Sequence, residues 1–185
     1  MDSARRELLD QHKTLILPEN IDYAAYELIA EAATFYPSEP IRMFCAGAGG
    51  DCDYTLAMAG IIQAHSNFIG LLAGDAVSGH AILFASCKRR YVYPWARIGI
   101  HQTNYGGLTA PLTANVLGKR LADLERSDTA YAEILASACT STYKHDWWLE
   151  SIREAPVVGF TYFGTHWLVM QGMAKPVAEL ERERG

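Results

Sequence analysis

Short apolar runs alternate along the chain with longer segments whose apolar residues recur at helical spacing. Runs bounded by Gly or Pro indicate strands, and a spacing of three to four residues indicates helices. The predicted strands are Thr14–Leu17, Ile41–Ala46, Phe68–Ala73, Tyr91–Tyr93 and Ala96–Ile100. The predicted helices are Ile21–Tyr36 with Asn20 as its cap, Asp51–His65, Ser78–Cys87 and Leu112–Ala138. Such alternation is typical of βαβ units, so the predicted fold class is α/β with a mostly parallel sheet.

No internal repeat and no Pro-, Gly- or Ser-rich linker divides the 185 residues. A single domain over residues 1–185 is therefore expected. The helix predicted over Leu112–Ala138 would be roughly 40 Å long at 1.5 Å per residue. One small domain does not cover such a length. Its distal end is expected to pack against another copy of the chain, which predicts an oligomer.

Composition and charge exclude several classes of protein. Half of the residues are hydrophobic and 20% are charged, so the chain can bury a core. The net charge of −5 argues against nucleic-acid or anionic-membrane binding. No apolar run is long enough to span a bilayer, and the N-terminus is polar, so a cytoplasmic location is expected. The four cysteines form no CxxC pair and are expected to be reduced thiols, with no metal and no cofactor.

Two predicted strand-to-helix turns carry candidate chemistry. The first contains three glycines within Gly47–Asp51 and matches neither common phosphate-binding motif. It suits a backbone oxyanion hole or a peptide-binding edge, and a tight structural turn is the alternative. The second places Ser78 at a helix N-terminus, before Gly79. Ser78 is either an exposed nucleophile beside a backbone N–H or an ordinary N-cap.

A serine nucleophile needs a base, and the chain has six histidines. His101 differs from the others because it ends an apolar strand and opens a loop that contains glycine. A base held by the scaffold projects into a site from such a position. A histidine with a purely structural role remains the alternative.

The order of these motifs resembles the proteolytic subunit of the Clp protease, the ClpP family. The resemblance rests on Ala48–Gly50, Gly74–Ala81 and above all Arg90–Gln102, and it extends from about residue 15 to 177. It implies a crotonase-like ClpP fold, with a head over about residues 1–110 and 156–177 and a handle helix over about 111–140. It also implies a serine peptidase that acts on peptides or unfolded proteins, in rings of seven stacked in pairs around a chamber.

The resemblance assigns roles to particular residues. Ser78 is the implied nucleophile and His101 the implied general base, with the backbone N–H groups of Gly50 and Gly79 as the oxyanion hole. The family's third catalytic group is an Asp, and Ala155 or Pro156 stands at that position here. Glu154 is the nearest carboxylate that could orient His101. The alternatives are a backbone carbonyl, a water, a neighbouring subunit or a loop group such as Asn104.

The missing Asp leaves three functions open. The first is a ClpP-like serine peptidase with an unconventional third member, and the second is a non-catalytic ClpP-like subunit. The third is a crotonase-superfamily acyl-CoA enzyme, which does not explain Ser78 and His101 at this spacing.

The resemblance also bears on partners. An AAA+ Clp ATPase or a ClpP-like paralogue is the expected partner. Phe44 and Tyr91 keep two positions of the family's aromatic docking pocket, whereas Arg42 and Ala64 stand where aromatic residues are expected. The segment ahead of Thr14 resembles the family's first helix without its axial loops.

Overall fold

The structure, a computed structural model, describes residues 3–104, 114–141, 143–156 and 159–183. The helices in these ranges are α1 (Ser3–His12), α2 (Tyr23–Phe35), α3 (Cys52–Ala64), α4 (Gly79–Ser86), α5 (Ala114–Ala138), α6 (His145–Arg153), α7 (Thr165–Met170) and α8 (Val177–Arg182). The strands are β1 (Thr14–Ile16), β2 (Asn20–Ile21), β3 (Ile41–Gly47), β4 (Gly49–Gly50), β5 (Phe68–Val77), β6 (Arg89–Val92), β7 (Arg97–Ile100), β8 (Thr161–Gly164) and β9 (Lys175–Pro176).

The main sheet is mostly parallel, which confirms the predicted α/β class. Its strand order is β1-β3-β5-β6-β9, and β7 pairs with the second half of β5. Every pairing among these strands is parallel, while β8 pairs antiparallel with β7. Strands β2 and β4 form a separate parallel pair. The long central strand β5 therefore contributes to two parts of the sheet.

Alternation along the central strands gives the sheet two apolar faces. Phe68 and Leu72 of β5 belong to the main core, in which the helices α2 to α6 bury their apolar residues. Ile69 and Leu71 point to the opposite face and pack with Tyr91 and with Leu180 of α8. A fully buried strand of this kind reads as a continuous apolar run, as Phe68–Ala73 does.

The start of α2 differs from the prediction. Its cap is Asp22, whose side chain accepts a hydrogen bond from the Ala25 N–H at 3.0 Å. Asn20 and Ile21 instead form β2 and pair with Gly49 and Gly50. Asn is a good cap by residue type, but pairing with β4 places Asn20 in a strand. The helix therefore begins after Asp22, the next residue whose side chain can accept the capping hydrogen bond.

The third predicted strand was too short. β5 continues through Val77, beyond the predicted end at Ala73; Ala76 pairs with β3, and residues 75–77 pair with β7. A register shift between Cys45 and Gly47 on β3 accompanies this extension. Glycine and aspartate lower strand propensity, but pairing with two neighbours outweighs it here.

The half-buried guanidinium of Arg90 connects three parts of the fold. It donates hydrogen bonds to the backbone carbonyls of Ala85, Cys87, Ala138 and Met173. These carbonyls lie near the ends of α4 and α5 and in the segment before β9. The planar guanidinium has five N–H donors, so one arginine can bind several backbone carbonyls that lack a partner at helix ends.

Helix α5 confirms the predicted long helix from Ala114 onward, and residues 112 and 113 lie outside the described ranges. Its two halves have different environments. The second half, from Ser127 to Ala138, is largely buried in the core, whereas Leu117 and Leu121 in the first half are 49% and 58% exposed. None of the helices in the described part of the chain has the length and apolarity that a bilayer crossing requires.

Candidate active site

Parallel pairing brings Ser78 and His101 to the same edge of the sheet. The register of β5 and β7 places Val77 opposite Gly99, so each residue follows the end of one of two neighbouring strands. The Ser78 N–H donates to the Gly99 carbonyl at 2.8 Å and fixes the two strand ends together. The carboxyl edge of a parallel sheet is where ligand sites form in α/β proteins.

Ser78 has a strained backbone, and its side chain does not cap the helix that follows it. It stands between β5 and α4 with φ of 53° and ψ of −122°, a conformation that non-glycine residues rarely adopt. Although it is the N-cap residue of α4, its side chain makes no capping hydrogen bond. Strain of this kind clusters at functional sites. The Oγ is therefore left for other partners.

The backbone around Ser78 supplies two candidate oxyanion donors. Gly79 is the first residue of α4, so its N–H has no partner within the helix. The Asp51 N–H donates to the Ile21 carbonyl at 2.9 Å. Gly50 precedes Asp51 and lines the same cavity as Ser78, so its N–H is the second candidate donor.

Gly49 brings the two turns into contact. A Cβ added to Gly49 would lie 2.6 Å from Ser78 Cβ and 2.9 Å from the Gly79 nitrogen. Its φ of 98° is also in the region that favours glycine. Only glycine allows the strand β4 to approach Ser78 this closely.

A cavity of about 240 Å³ is lined by some of the predicted residues, but not by Gly79 or Glu154. Gly50, Cys52, Ser78, His101, Asn104 and Phe160 are among the residues that line it. Gly50, Cys52, Thr103 and Asn104 also line a larger cleft of about 430 Å³ between the start of α3 and α5. The small cavity and the larger cleft are therefore neighbours that share these four lining residues.

The imidazole of His101 has two contacts within the site. The ring of Phe160 packs edge-to-face against it, with 5.1 Å between the ring centroids. Asn104 places its Nδ2 3.5 Å from His101 Nδ1, a long contact for a hydrogen bond. Burial lowers the pKa of His101, while the Gln102 backbone and the charge of Asp128 act in the opposite direction. The lowered pKa favours the neutral imidazole, the form that can accept a proton.

Glu154 lies at the exposed C-terminal end of α6, where its N–H donates to the Glu150 carbonyl. It is not among the residues that line the cavity of Ser78 and His101. Ala155 beside it is buried. The role predicted for Glu154 stays a prediction, and this geometry gives it no support.

His80, the other histidine close to Ser78, has a structural environment. It is fully buried, and its Nε2 lies 2.9 Å from the Pro18 carbonyl and 3.2 Å from that of Glu19. Burial lowers its pKa. The neutral ring thus holds α4 to the segment before β2.

Phe160 and Asp128 act on His101 and were not predicted from the sequence. Phe160 belongs to a segment rich in aromatic residues, 160–163, and such a pattern by itself does not distinguish core packing from a site. Asp128 on α5 is 2% exposed and accepts a hydrogen bond from the Thr103 N–H at 2.9 Å. The sequence held a signal for Asp128, because it falls four residues after Leu124 and three before Tyr131, within the apolar stripe.

All four cysteines are free. Burial raises the pKa of each, to about 12 for Cys87, so these thiols are held in the neutral form. Among the residues that the structure describes, no group of three His, Cys, Asp or Glu side chains could hold a metal ion.

A mostly parallel α/β sheet with a strained serine at a strand-to-helix turn is an arrangement found in serine hydrolases. The family model for the Clp protease matches residues 2–146, well over half of the chain, and the chain belongs to this family. The matched stretch includes Gly50, Ser78, Gly79 and His101 and ends before Glu154. Comparison with curated proteins finds no match.

Proposed function

We propose that the chain is a serine peptidase that hydrolyses peptides by Ser78 and His101. The observation that carries the proposal is the strained backbone of Ser78, a residue that makes no capping hydrogen bond and lines the same cavity as His101. Membership of the Clp protease family supports the same reaction class.

In this proposal the neutral His101 accepts the Ser78 hydroxyl proton as Oγ attacks the scissile carbonyl. The tetrahedral oxyanion forms toward the N–H groups of Gly79 and Gly50. His101 then gives its proton to the leaving amine, and the acyl-enzyme is hydrolysed by water through the same steps. The base needs Nδ1 protonated, so that Nε2 is free to accept the proton.

Asn104 can hold that tautomer. A half-turn of its amide exchanges Oδ1 and Nδ2, two groups of equal shape, and sets a carbonyl acceptor opposite His101 Nδ1–H. An amide orients the ring without stabilising the imidazolium as a carboxylate does. We therefore expect slow turnover.

The test is labelling with a fluorophosphonate probe in wild type and in Ser78→Ala. Labelling and hydrolysis of a short fluorogenic peptide are expected in wild type only, with the same assembly mass in both. Ser86→Ala on the same short helix is the matched control, because Ser86 bonds to the Ile82 carbonyl and lies outside the cavity. Peptide hydrolysis that persists in Ser78→Ala contradicts the assignment.

One observation favours the second function, a non-catalytic ClpP-like subunit. Within the described residues, Phe160 makes a ring contact with the imidazole of His101 and Asn104 makes a polar contact with it. Neither side chain carries charge. Wild-type protein that takes up no probe at Ser78 would support this function.

We further propose that the peptidase works in an oligomeric chamber built through α5. This helix is about 38 Å long at 1.5 Å per residue, and the described residues leave the apolar side chains of Leu117 and Leu121 in its first half about half exposed. Apolar residues at helical spacing on an exposed face favour contact with a partner helix.

The face of the sheet that carries Ile69 and Leu71, away from the main core, supports docking of a partner ATPase. Phe44 packs against the cluster of Ile69, Leu71, Tyr91 and Leu180, so the two predicted docking residues lie together. Arg42 and Ala64 bring no aromatic ring to this region. A Clp ATPase that binds here would meet a smaller apolar surface than the family pattern implies.

A further inference from the structure

Asp128 carries a buried carboxylate, which apolar packing alone does not account for. It is 2% exposed on the core side of α5, with Tyr131 and Ala132 buried on the same helix. An acidic side chain is rarely buried unless hydrogen bonds compensate for the loss of water. Among the described residues, its hydrogen-bond partner is a backbone N–H rather than a basic side chain.

That partner lies in the segment that carries the candidate base. Asp128 Oδ1 accepts the Thr103 N–H at 2.9 Å, and Thr103 is itself 7% exposed. Thr103 stands between His101 and Asn104, the residue whose amide faces His101 Nδ1. One hydrogen bond thus fixes the backbone that sets both the imidazole and its amide partner.

Two titratable groups among the described residues act near His101. Cys52 at the start of α3 lines the same cavity, and the charge of Asp128 comes from α5, whereas Ser78 and Phe160 contribute no charge. Burial raises the pKa of Cys52, so its thiol is neutral. The negative charge of Asp128 acts on His101 directly and favours the imidazolium.

We propose that Asp128 is a positioning residue for His101, acting through the Thr103 N–H and by its charge from the buried face of α5. Asp128 does not touch the imidazole. It holds the loop that does, and its charge offsets part of the burial that disfavours the imidazolium formed during catalysis. This inference rests on the proposed peptidase function.

The test compares Asp128→Asn with Asp128→Ala. Asn keeps an oxygen for the Thr103 N–H but removes the charge, whereas Ala removes both. We expect Asp128→Asn to keep the loop in place and to move the acid limb of kcat/KM to lower pH, because the pKa of His101 falls further. Asp128→Ala is expected to lower kcat/KM by about 10- to 100-fold through misplacement of the base. Glu125→Gln, the same charge change on the exposed face of α5, should alter neither.

A second readout does not depend on turnover. The titration midpoint of His101 can be followed by NMR of the ¹³C-labelled imidazole in the full chain, with His101→Gln to assign the resonance. A midpoint that moves to lower pH in Asp128→Asn and not in Glu125→Gln supports the inference, even if wild-type Ser78 takes up no probe and the peptidase proposal fails. An unchanged midpoint in Asp128→Asn overturns it, and so does an equal loss of kcat/KM in the Asn and Ala variants.

Discussion

Replacing Gly49 by alanine perturbs the candidate site at its closest backbone approach. The new Cβ would lie 2.6 Å from Ser78 Cβ, 3.0 Å from Ser78 Oγ and 2.9 Å from the Gly79 nitrogen. Ordinary van der Waals contact begins at about 3.4 Å. Two of these atoms belong to the strained serine and one to the backbone at the start of α4, so no flexible side chain can yield instead.

The size of the effect follows from this geometry. Alanine at φ of 98° costs about 1–3 kcal/mol of backbone strain. Relief of the contact with Ser78 Cβ requires β4 and Ser78 to separate by about 0.8 Å. A displacement on the order of 1 Å at a reacting group costs about 10²-fold in rate. We therefore expect Gly49→Ala to lose about 1–3 kcal/mol of stability and about 100-fold in the rate of Ser78 labelling.

Gly60→Ala is the matched control. Gly60 lies within α3, and a Cβ added there meets nothing within 4 Å. Both changes restrict the unfolded chain by a similar amount, so the difference between the two variants isolates local strain. Gly60→Ala should gain about 0.5–1 kcal/mol from helix propensity and should label like wild type.

The assay is urea unfolding at one chain concentration, combined with the rate of fluorophosphonate labelling and of peptide hydrolysis. A fixed concentration matters because assembly contributes to apparent stability. The reasoning is refuted if Gly49→Ala unfolds at the same urea concentration as Gly60→Ala and labels within about threefold of wild type.

The remaining predictions concern the third catalytic group and the assembly. Glu154→Gln should leave turnover unchanged, since Glu154 is exposed at the end of α6 and away from the cavity; a fall of 100-fold or more would restore its predicted role. Light scattering at micromolar concentration should give an oligomer for wild type and a smaller mass for Leu121→Glu, because Leu121 is 58% exposed in the single chain and its replacement should cost that chain less than about 0.5 kcal/mol. A wild-type monomer would contradict the assembly, and an unchanged mass for Leu121→Glu would exclude this part of α5 as the contact.

Local pattern alone predicted the central strands and four of the helices, and it marked Ser78 and His101 as candidates whose roles the family resemblance then implied. The strand of Phe68 and the helix that ends at Ala138 follow from apolar spacing, which is a property of neighbouring residues. Ser78 and His101 stand where strands end, and parallel sheets place such residues at one edge. Their presence in one cavity could therefore be expected from the sequence before any distance was known.

Tertiary structure decided how the elements begin and end and what surrounds the base. Asn20 is a good cap in isolation, but pairing of β2 with β4 moved the helix start to Asp22. Glu154 stands close to the expected position along the chain, yet α6 leaves it exposed. The neighbours of His101 come instead from Phe160 and, through Thr103, from Asp128, both more than 20 residues away. Spacing along a chain determines which face of one element a residue occupies, whereas the partner across a site depends on how separate elements pack, and only the folded chain fixes that.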